Sequence, residues 1–318
     1  MSIRPALGDL RGGRLVALVD VARGAPEGYL VAAARTITPL LINAMLLDAG
    51  GTPWVALPES RCRALAIDPL GDHAARAEGF AFMVSIEARH GVTTGVSAAD
   101  RARTMRIAAD PRTGPADIAV PGHVMPILVA EQGVLGHAAA PEAAVDLTRL
   151  AGLDGGGAMC HILDESGQVA GLDAVCDLAR RRGFQVVTTE DVVAERRRRE
   201  PMVERTAAAP IETVAGRLLA VAYRETISGR EHTALVAGPR PEAIVDAPLR
   251  LHVRQPIEDV FTSTHEELER SLHQLAAGRL GGILLYLAAG TTSDAAERIA
   301  QQIRADLMPT PVAHAHAA

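Results

Sequence analysis

An α+β fold in two units of unequal size is what this amino-acid sequence predicts, and three observations carry the reading. The chain has 318 residues, enough for two sizeable cores. Short β-rich runs alternate with Ala-rich helical patterns. Between residues 194 and 210 the strand pattern gives way to Glu, Arg, Pro and Ala, the composition of a linker. The larger unit is therefore expected over residues 1–200 and the smaller over 201–310, with 311–318 a disordered Ala-His tail.

Leu15–Val19 reads as the first strand, followed by a turn at Gly24–Gly28 and an apolar helix over Ala32–Leu47. Trp54–Leu57 and Phe80–Ile86 read as strands, the second leading into a Gly-Thr-Thr-Gly loop. Ser97 is a workable N-cap, with Asp100 three residues on as a capping-box variant. Pro141 suits the first turn of a helix over Glu142–Leu150. Strands at Met159–Leu163 and Gln185–Thr188 flank a helix at Asp173–Arg182. In the smaller unit, strands are expected at Leu218–Tyr223, Thr233–Val236, Leu249–His252 and Ile283–Leu287, and helices at Glu266–Ala277 and Ser293–Asp306.

Composition narrows the function. Aromatic residues are only 3% of the chain, so Ala, Val and Leu must build the cores. A formal net charge of −6 argues against a nucleic-acid groove, which needs clustered Lys and Arg. The one basic run, Arg196 to Arg199, reads as a solvated helix end, with a partner site as the minority alternative. No apolar stretch reaches membrane-spanning length, and the N-terminus lacks a signal peptide's hydrophobic core. Cys62, Cys160 and Cys176 show neither a disulfide framework nor metal-ligand spacing. A cytoplasmic, reduced protein is expected.

Four segments point to one family. They are Gly91-Val-Thr-Thr-Gly-Val-Ser-Ala-Ala-Asp-Arg101, Pro121-Gly-His-Val124, Glu142-Ala-Ala-Val-Asp-Leu147 and Leu150-Ala-Gly-Leu153. In sequence and spacing they resemble the 3,4-dihydroxy-2-butanone 4-phosphate synthases, over roughly the first two-thirds of the chain. Further on, Val221-Ala-Tyr-Arg224, Gly229-Arg-Glu-His232 and Ile283-Leu-Leu-Tyr-Leu287 resemble the start of the second type of GTP cyclohydrolase. The pairing is that of the bifunctional riboflavin-biosynthesis proteins. It implies a synthase-like α/β domain plus a smaller, truncated cyclohydrolase-II-like α/β domain, in a family that forms homodimers with sites near the subunit interface.

The synthases convert ribulose 5-phosphate into a four-carbon phosphate and formate, using a divalent metal to hold an enediolate and acid–base groups to move protons. The resemblance places Ala25 and Ala140 at the two metal-ligand positions, so the family's magnesium site is expected to be lost. Glu27 survives from the first ligand loop, while Gly24 and Tyr29 replace a substrate-binding Arg and an acidic group. His137 replaces another Arg, His161 replaces a catalytic Glu after Cys160, and Trp54 stands where a small Cys is usual. In the cyclohydrolases three cysteines hold zinc. The matching positions here are approximately Gln255, Glu266 and Leu268, and the Gln-Glu-Gly-Arg-Gly loop has become Ala288-Ala-Gly-Thr-Thr-Ser293. The chain also ends before that family's GTP-binding and catalytic arginine segments. Neither ordinary reaction is expected, the family's zinc site is expected to be lost like its magnesium site, and no cofactor is assigned.

The resemblance implies that Thr93, Thr94, Ser97 and Arg101 line the substrate pocket with Glu142 and Trp54, since a loop entering a helix N-terminus suits anions. The alternative is that Asp100 and Arg101 merely cap and pair the helix. His123, His137 and His161 fall on positions the family places around one pocket. They could serve as acid–base catalysts with Glu27 and Tyr29, or gather a transition metal, or each be an ordinary hydrogen-bonded histidine. His73 and His90 lie in predicted loops, and His314 and His316 in the tail are too few for a metal site.

Two functions follow. One is a repurposed enzyme, lyase- or isomerase-like, acting on a different small polar or phosphorylated metabolite by histidine acid–base chemistry, in a specialised biosynthetic pathway. The other is a noncatalytic paralogue that binds or regulates a riboflavin-pathway enzyme or metabolite. Three functional substitutions, His137, His161 and Tyr29, favour the first. A homodimer is expected, with neither nucleic acid nor membrane as partner.

Overall fold

The computed structural model describes residues 3–22, 24–71, 80–237, 248–255, 257, 259, 263–277 and 282–307. His73, His314, His316 and the 311–318 tail lie outside them. The chain divides into two compact units, between Arg199 and Glu200. Together they form the α+β architecture the sequence predicts.

The first unit is built on a seven-stranded mixed sheet. Its strands are β1 (Val16–Asp20), β2 (Glu27–Ala33), β3 (Trp54–Pro58), β4 (Ala81–Phe82), β7 (Pro126–Val129), β8 (Gly157–His161) and β9 (Gln185–Thr188), in the order β4-β7-β3-β8-β2-β1-β9. A separate pair is formed by β5 (Ile86–Ala88) and β6 (Ile118–Val124). The helices are α1 (Arg4–Arg11), α2 (Pro39–Ala44), α3 (Glu59–Ala64), α4 (Ala98–Ala109), α5 (Ala140–Leu150), α6 (Leu172–Arg182) and α7 (Thr189–Arg199).

Alternation of side chains along the strands gives the sheet two buried faces. Ala17, Val19, Leu30, Val55 and Cys160 pack with Ile42 of α2, Met105 of α4 and Val175 of α6. Leu18, Tyr29, Val31, Ala56 and Met159 pack with Leu7 of α1, Ala143 of α5 and Val192 of α7. The second face matters for function, because α5 begins beside the strand ends that carry Tyr29, Trp54 and His161.

Several expectations are corrected. The helix over Ala32–Leu47 starts only at Pro39, where the Thr38 hydroxyl accepts from Leu41 N. Glu27–Ala33 is instead a central strand, whose side chains from Gly28 onward are buried on both faces. An apolar run without alternation cannot be told from a buried helix by periodicity. Phe80–Ile86 breaks into two short strands, and β6 and β7 were not anticipated. The linker expected over 194–210 shortens to residues 200–202, at the boundary of the two units, because α7 runs to Arg199 and the next strand begins at Val203. Glu195 pairs with Arg198 and Arg199 and holds the helix end together. Arg196 is not solvated but buried against Asp146, at 2.8 Å.

The second unit has a five-stranded sheet, β10 (Val203–Thr213), β11 (Gly216–Glu225), β12 (Glu231–Ala237), β14 (Gly282–Leu287) and β13 (Leu249–Val253), hydrogen-bonded in that order. Pro210 is tolerated because β10 is an edge strand. Val221, Ala234, Ile283 and Leu285 pack against Ile299 and Ile303 of the final helix, α9 (Ser293–Leu307). Helix α8 (Ser263–Ala277) brings Leu275 against Leu284. Among the described residues, no helix is long and apolar enough to cross a membrane.

Candidate active site

Tyr29 and His161 are directly opposed on the antiparallel pair β2 and β8, so both side chains leave the sheet on the face that α5 covers. Their rings lie 4.4 Å apart, centroid to centroid. The fully buried Tyr29 hydroxyl donates to Glu27 Oε2 at 2.8 Å, and His161 Nε2 stands 2.9 Å from the same hydroxyl. Since the phenol proton goes to Glu27, Nε2 of His161 is the donor and its other ring nitrogen carries the basic lone pair. Glu27, at the exposed start of the strand, makes the outer end of this three-residue chain, 3.9 Å from Nε2.

Trp54, opposite Met159 on β3, closes the site from the other side. Its ring meets His161 edge-on at 5.0 Å, Phe82 at 5.3 Å and Phe80 at 6.4 Å. Phe80 in turn lines a cavity of about 210 Å³ with Ile127, Gln132, His137, Pro141 and Glu142. There His137 Nδ1 donates to Glu142 Oε1 at 3.0 Å, which leaves Nε2 as its basic nitrogen. The aromatic wall thus connects two acid–base groups, His161 with Tyr29 and Glu27, and His137 with Glu142.

His123 is held elsewhere, on the small sheet. Its Nδ1 lies 2.7 Å from Glu87 Oε2, and Glu87 Oε1 accepts from Thr104 at 2.9 Å. Gly95 packs directly over this pair with φ +79°, and any side chain there would collide with both Glu87 and His123. The three histidines therefore take three separate partners. Among the described residues no group of three His, Cys, Asp or Glu is placed to hold a metal ion, and His123, His137 and His161 do not gather around one point.

The Gly-Thr-Thr-Gly loop also differs from expectation. The Asp100 carboxylate accepts from Thr93 N, Thr93 Oγ1 and Gly95 N, while Ser97 Oγ caps Asp100 N. Burial works to raise the Asp100 pKa, but the hydrogen bonds from Thr93, Ser97 and Gly95 prevail and hold it below the ordinary value. The loop's amides are thus filled by an internal carboxylate, and Thr94 is left exposed. Arg101 donates from Nε to Val96 O, and its charge is felt by Cys160, whose side chain faces the opposite side of the sheet from His161. Burial pushes the Cys160 thiol up to about 12, opposed by the hydrogen bond with the Gly51 backbone and the charge of Arg101, so it stays a protonated thiol at neutral pH.

Sequence reasoning missed Asp20, Phe80, Phe82, Glu87 and the Asp146–Arg196 pair. Asp20, buried at the end of β1, accepts from Ala140 N at 2.8 Å and so caps α5 from a distance. Asp146 accepts from Val134 N and from Arg196, and fixes the loop that carries His137. Gly133 has φ +56° there, and a Cβ would collide with the Asp146 carboxylate. A buried Asp in an otherwise apolar helix face was the available signal.

The metal positions fail on donor chemistry. Ala25 and Ala140 offer only methyl groups, and the Ala140 amide is committed to Asp20. In the second unit, Gln255 and Glu266 are exposed and Leu268 is aliphatic, so no thiolate is present for a structural or catalytic zinc. Asp259 instead ties that region together, accepting from Gln255 N at 2.9 Å and from Tyr286 at 2.7 Å, with His252 Nε2 at 2.7 Å.

Comparison with known proteins agrees with this division. Residues 4–195 match the 3,4-dihydroxy-2-butanone 4-phosphate synthase family and residues 204–315 match GTP cyclohydrolase II. The chain is 38% identical over 291 residues to the riboflavin biosynthesis protein RibBA of Salinispora arenicola, covering 90% of this chain and 69% of that one. Against RibBA of Aquifex aeolicus the identity is 36% over 295 residues, covering 90% and 71%. Among solved structures it resembles RibBX, a two-domain 3,4-dihydroxy-2-butanone 4-phosphate synthase from A. baumannii, with TM-score 0.73, 28% identity, and coverage of 96% of this chain and 91% of that one. A 3,4-dihydroxy-2-butanone 4-phosphate synthase in complex with two magnesium ions matches 63% of this chain and 98% of its own, at TM-score 0.59 and 30% identity.

Proposed function

The chain belongs to the 3,4-dihydroxy-2-butanone 4-phosphate synthase family, joined to a GTP cyclohydrolase II unit as in the riboflavin-biosynthesis proteins, and from that premise we propose that it is a divergent, metal-independent enzyme. It moves protons on a small polar substrate by histidine acid–base chemistry, in a lyase- or isomerase-like reaction, and works as a homodimer. The observation that carries this reading is the chain His161–Tyr29–Glu27, in which donor and acceptor roles are fixed in sequence. Such a chain lets the imidazole take a proton on one nitrogen while Tyr29 and Glu27 stabilise the resulting cation. Alanines at both ligand positions leave no place for the family's metal, whereas histidines can exchange protons near neutral pH without one.

A noncatalytic paralogue is the second reading, favoured by the aromatic filling of the space around Trp54. Proton exchange separates the two. In D2O with a chelator, a panel of small carbonyl compounds should show enzyme-dependent loss of the α-proton signal by NMR for at least one member. His161→Ala should abolish that exchange. Absence of exchange across the panel, together with unaltered binding of a riboflavin-pathway enzyme by His161→Ala, would favour the noncatalytic protein.

A further inference from the structure

The chemistry around the His137 cavity says what kind of molecule fits it. Its charged lining is Glu142, whose carboxylate is largely buried, and among the described lining residues there is neither Lys nor Arg. Two places on this unit where backbone amides could seat an anion, the start of α5 and the Gly-Thr-Thr-Gly loop, are already filled by the protein's own carboxylates. Asp20 occupies the start of α5, and Asp100 the amides of Thr93 and Gly95. An incoming phosphate would meet a carboxylate at each.

The aromatic residues point the same way. The whole chain has one Trp, three Tyr and four Phe, and four of these eight form one group, in which Phe80 lines the cavity, Trp54 and Phe82 contact it from behind, and Tyr29 joins through His161. In a chain with so few aromatics the grouping is a local feature rather than a compositional one. Aromatic rings with a nearby carboxylate form an environment that attracts organic cations.

We propose that this cavity binds a small organic cation, an amine or alkylammonium group, rather than a sugar phosphate. The inference deepens the functional reading above and rests on its premise that the cleft is a small-molecule site. Glu142 neutralises the charge, Phe80 supplies a ring face, and His137, already donating to Glu142 through Nδ1, presents Nε2 as a proton acceptor toward the ligand. The volume of about 210 Å³ suits a compact group of a few heavy atoms.

Trp54 makes the test direct, because it is the only tryptophan in the chain and its ring contacts Phe80. Its emission should change saturably when the full-length protein is titrated with tetramethylammonium or ethanolamine at constant ionic strength. Sodium chloride and inorganic phosphate should produce no saturable change. Glu142→Gln should weaken the amine response by roughly tenfold or more, and Phe80→Leu by a few-fold, with thermal melts showing that each variant is folded. If Glu142→Gln does not fold, Phe80→Leu carries the test alone. Saturable binding of phosphate, no response to either amine, or amine binding untouched by the folded variants would overturn the proposal. Because binding is read without turnover, phosphate binding would sink this inference and leave the acid–base reading standing. Loss of proton exchange alone would do the reverse.

Discussion

His161 Nε2 lies 2.9 Å from the hydroxyl of Tyr29, a residue directly opposite it on the neighbouring strand and wholly buried. The contact depends on strand register. A one-residue slip of either strand would send its own side chain to the other face of the sheet and separate His161 from Tyr29.

Tyr29→Phe should therefore be tolerated in shape but costly in hydrogen bonding. It leaves His161 Nε2 and Glu27 Oε2 without the shared hydroxyl. Urea denaturation should show a loss of about 1–2 kcal/mol, and any proton exchange catalysed by the wild type should fall with it. Unchanged stability and exchange would mean that the chain of three residues has no energetic or chemical weight.

The buried Arg196–Asp146 pair should behave as a unit. Burial raises the Asp146 pKa, opposed by the Val134 amide, by Arg196 and by Arg149 at 3.5 Å, so removing Arg196 takes away the buried cation and leaves only the half-exposed Arg149 beside a core carboxylate. Arg196→Met should destabilise the first unit by about 3–5 kcal/mol, whereas Arg196→Met with Asp146→Leu should recover much of that loss. A double variant no more stable than Arg196→Met would show that the cost lies in packing rather than charge.

Much of this arrangement was legible in the sequence, and the rest was hidden for identifiable reasons. Ser97, Pro141 and the strand at Gln185–Thr188 carry local signals that the structure follows, because capping and turn chemistry act within a few residues. Strand β2 was hidden because burial on both faces erases alternation. The substitutions at Ala25, Ala140, His137 and His161 could be read one by one. Their grouping could not, since it depends on which partner each side chain takes: Glu87 draws His123 onto a second sheet, and Glu142 engages His137. Asp20 and Arg196 act over 120 and 50 residues of chain respectively, distances at which local spacing carries no signal.

In the second unit, acid should weaken the fold through His232. Burial pushes its pKa below the ordinary range, opposed by the Glu225 hydrogen bond and charge, while Arg230 and Arg254 push it further down. The unfolded chain, with an ordinary histidine pKa of about 6.5, then holds a proton that the folded state releases. The associated stability is complete above about pH 6.5 and is lost as the pH falls toward the folded value. Glu225, itself held low despite burial by Ser228, His232 and Arg230, loses its share at still lower pH. The denaturation midpoint of this unit should drop between pH 7.5 and 5.5, and His232→Asn should flatten that dependence.

Zinc should be absent from the purified protein as a stoichiometric component, because Gln255, Glu266 and Leu268 supply no thiolate. Elemental analysis is the check. One tightly held zinc per chain, lost on deletion of residues 211–318, would contradict the assignment of those positions.

The most direct measurement concerns the family's own reaction. With Ala25 and Ala140 at the ligand positions, metal-dependent turnover of ribulose 5-phosphate is expected to be lost, and His161, Tyr29 and Glu27 to serve different chemistry. Purified full-length protein incubated with ribulose 5-phosphate and magnesium should release no formate above background. Formate appearing at about 1 s⁻¹ or faster, within the usual range of enzymes, and abolished by a chelator would contradict it.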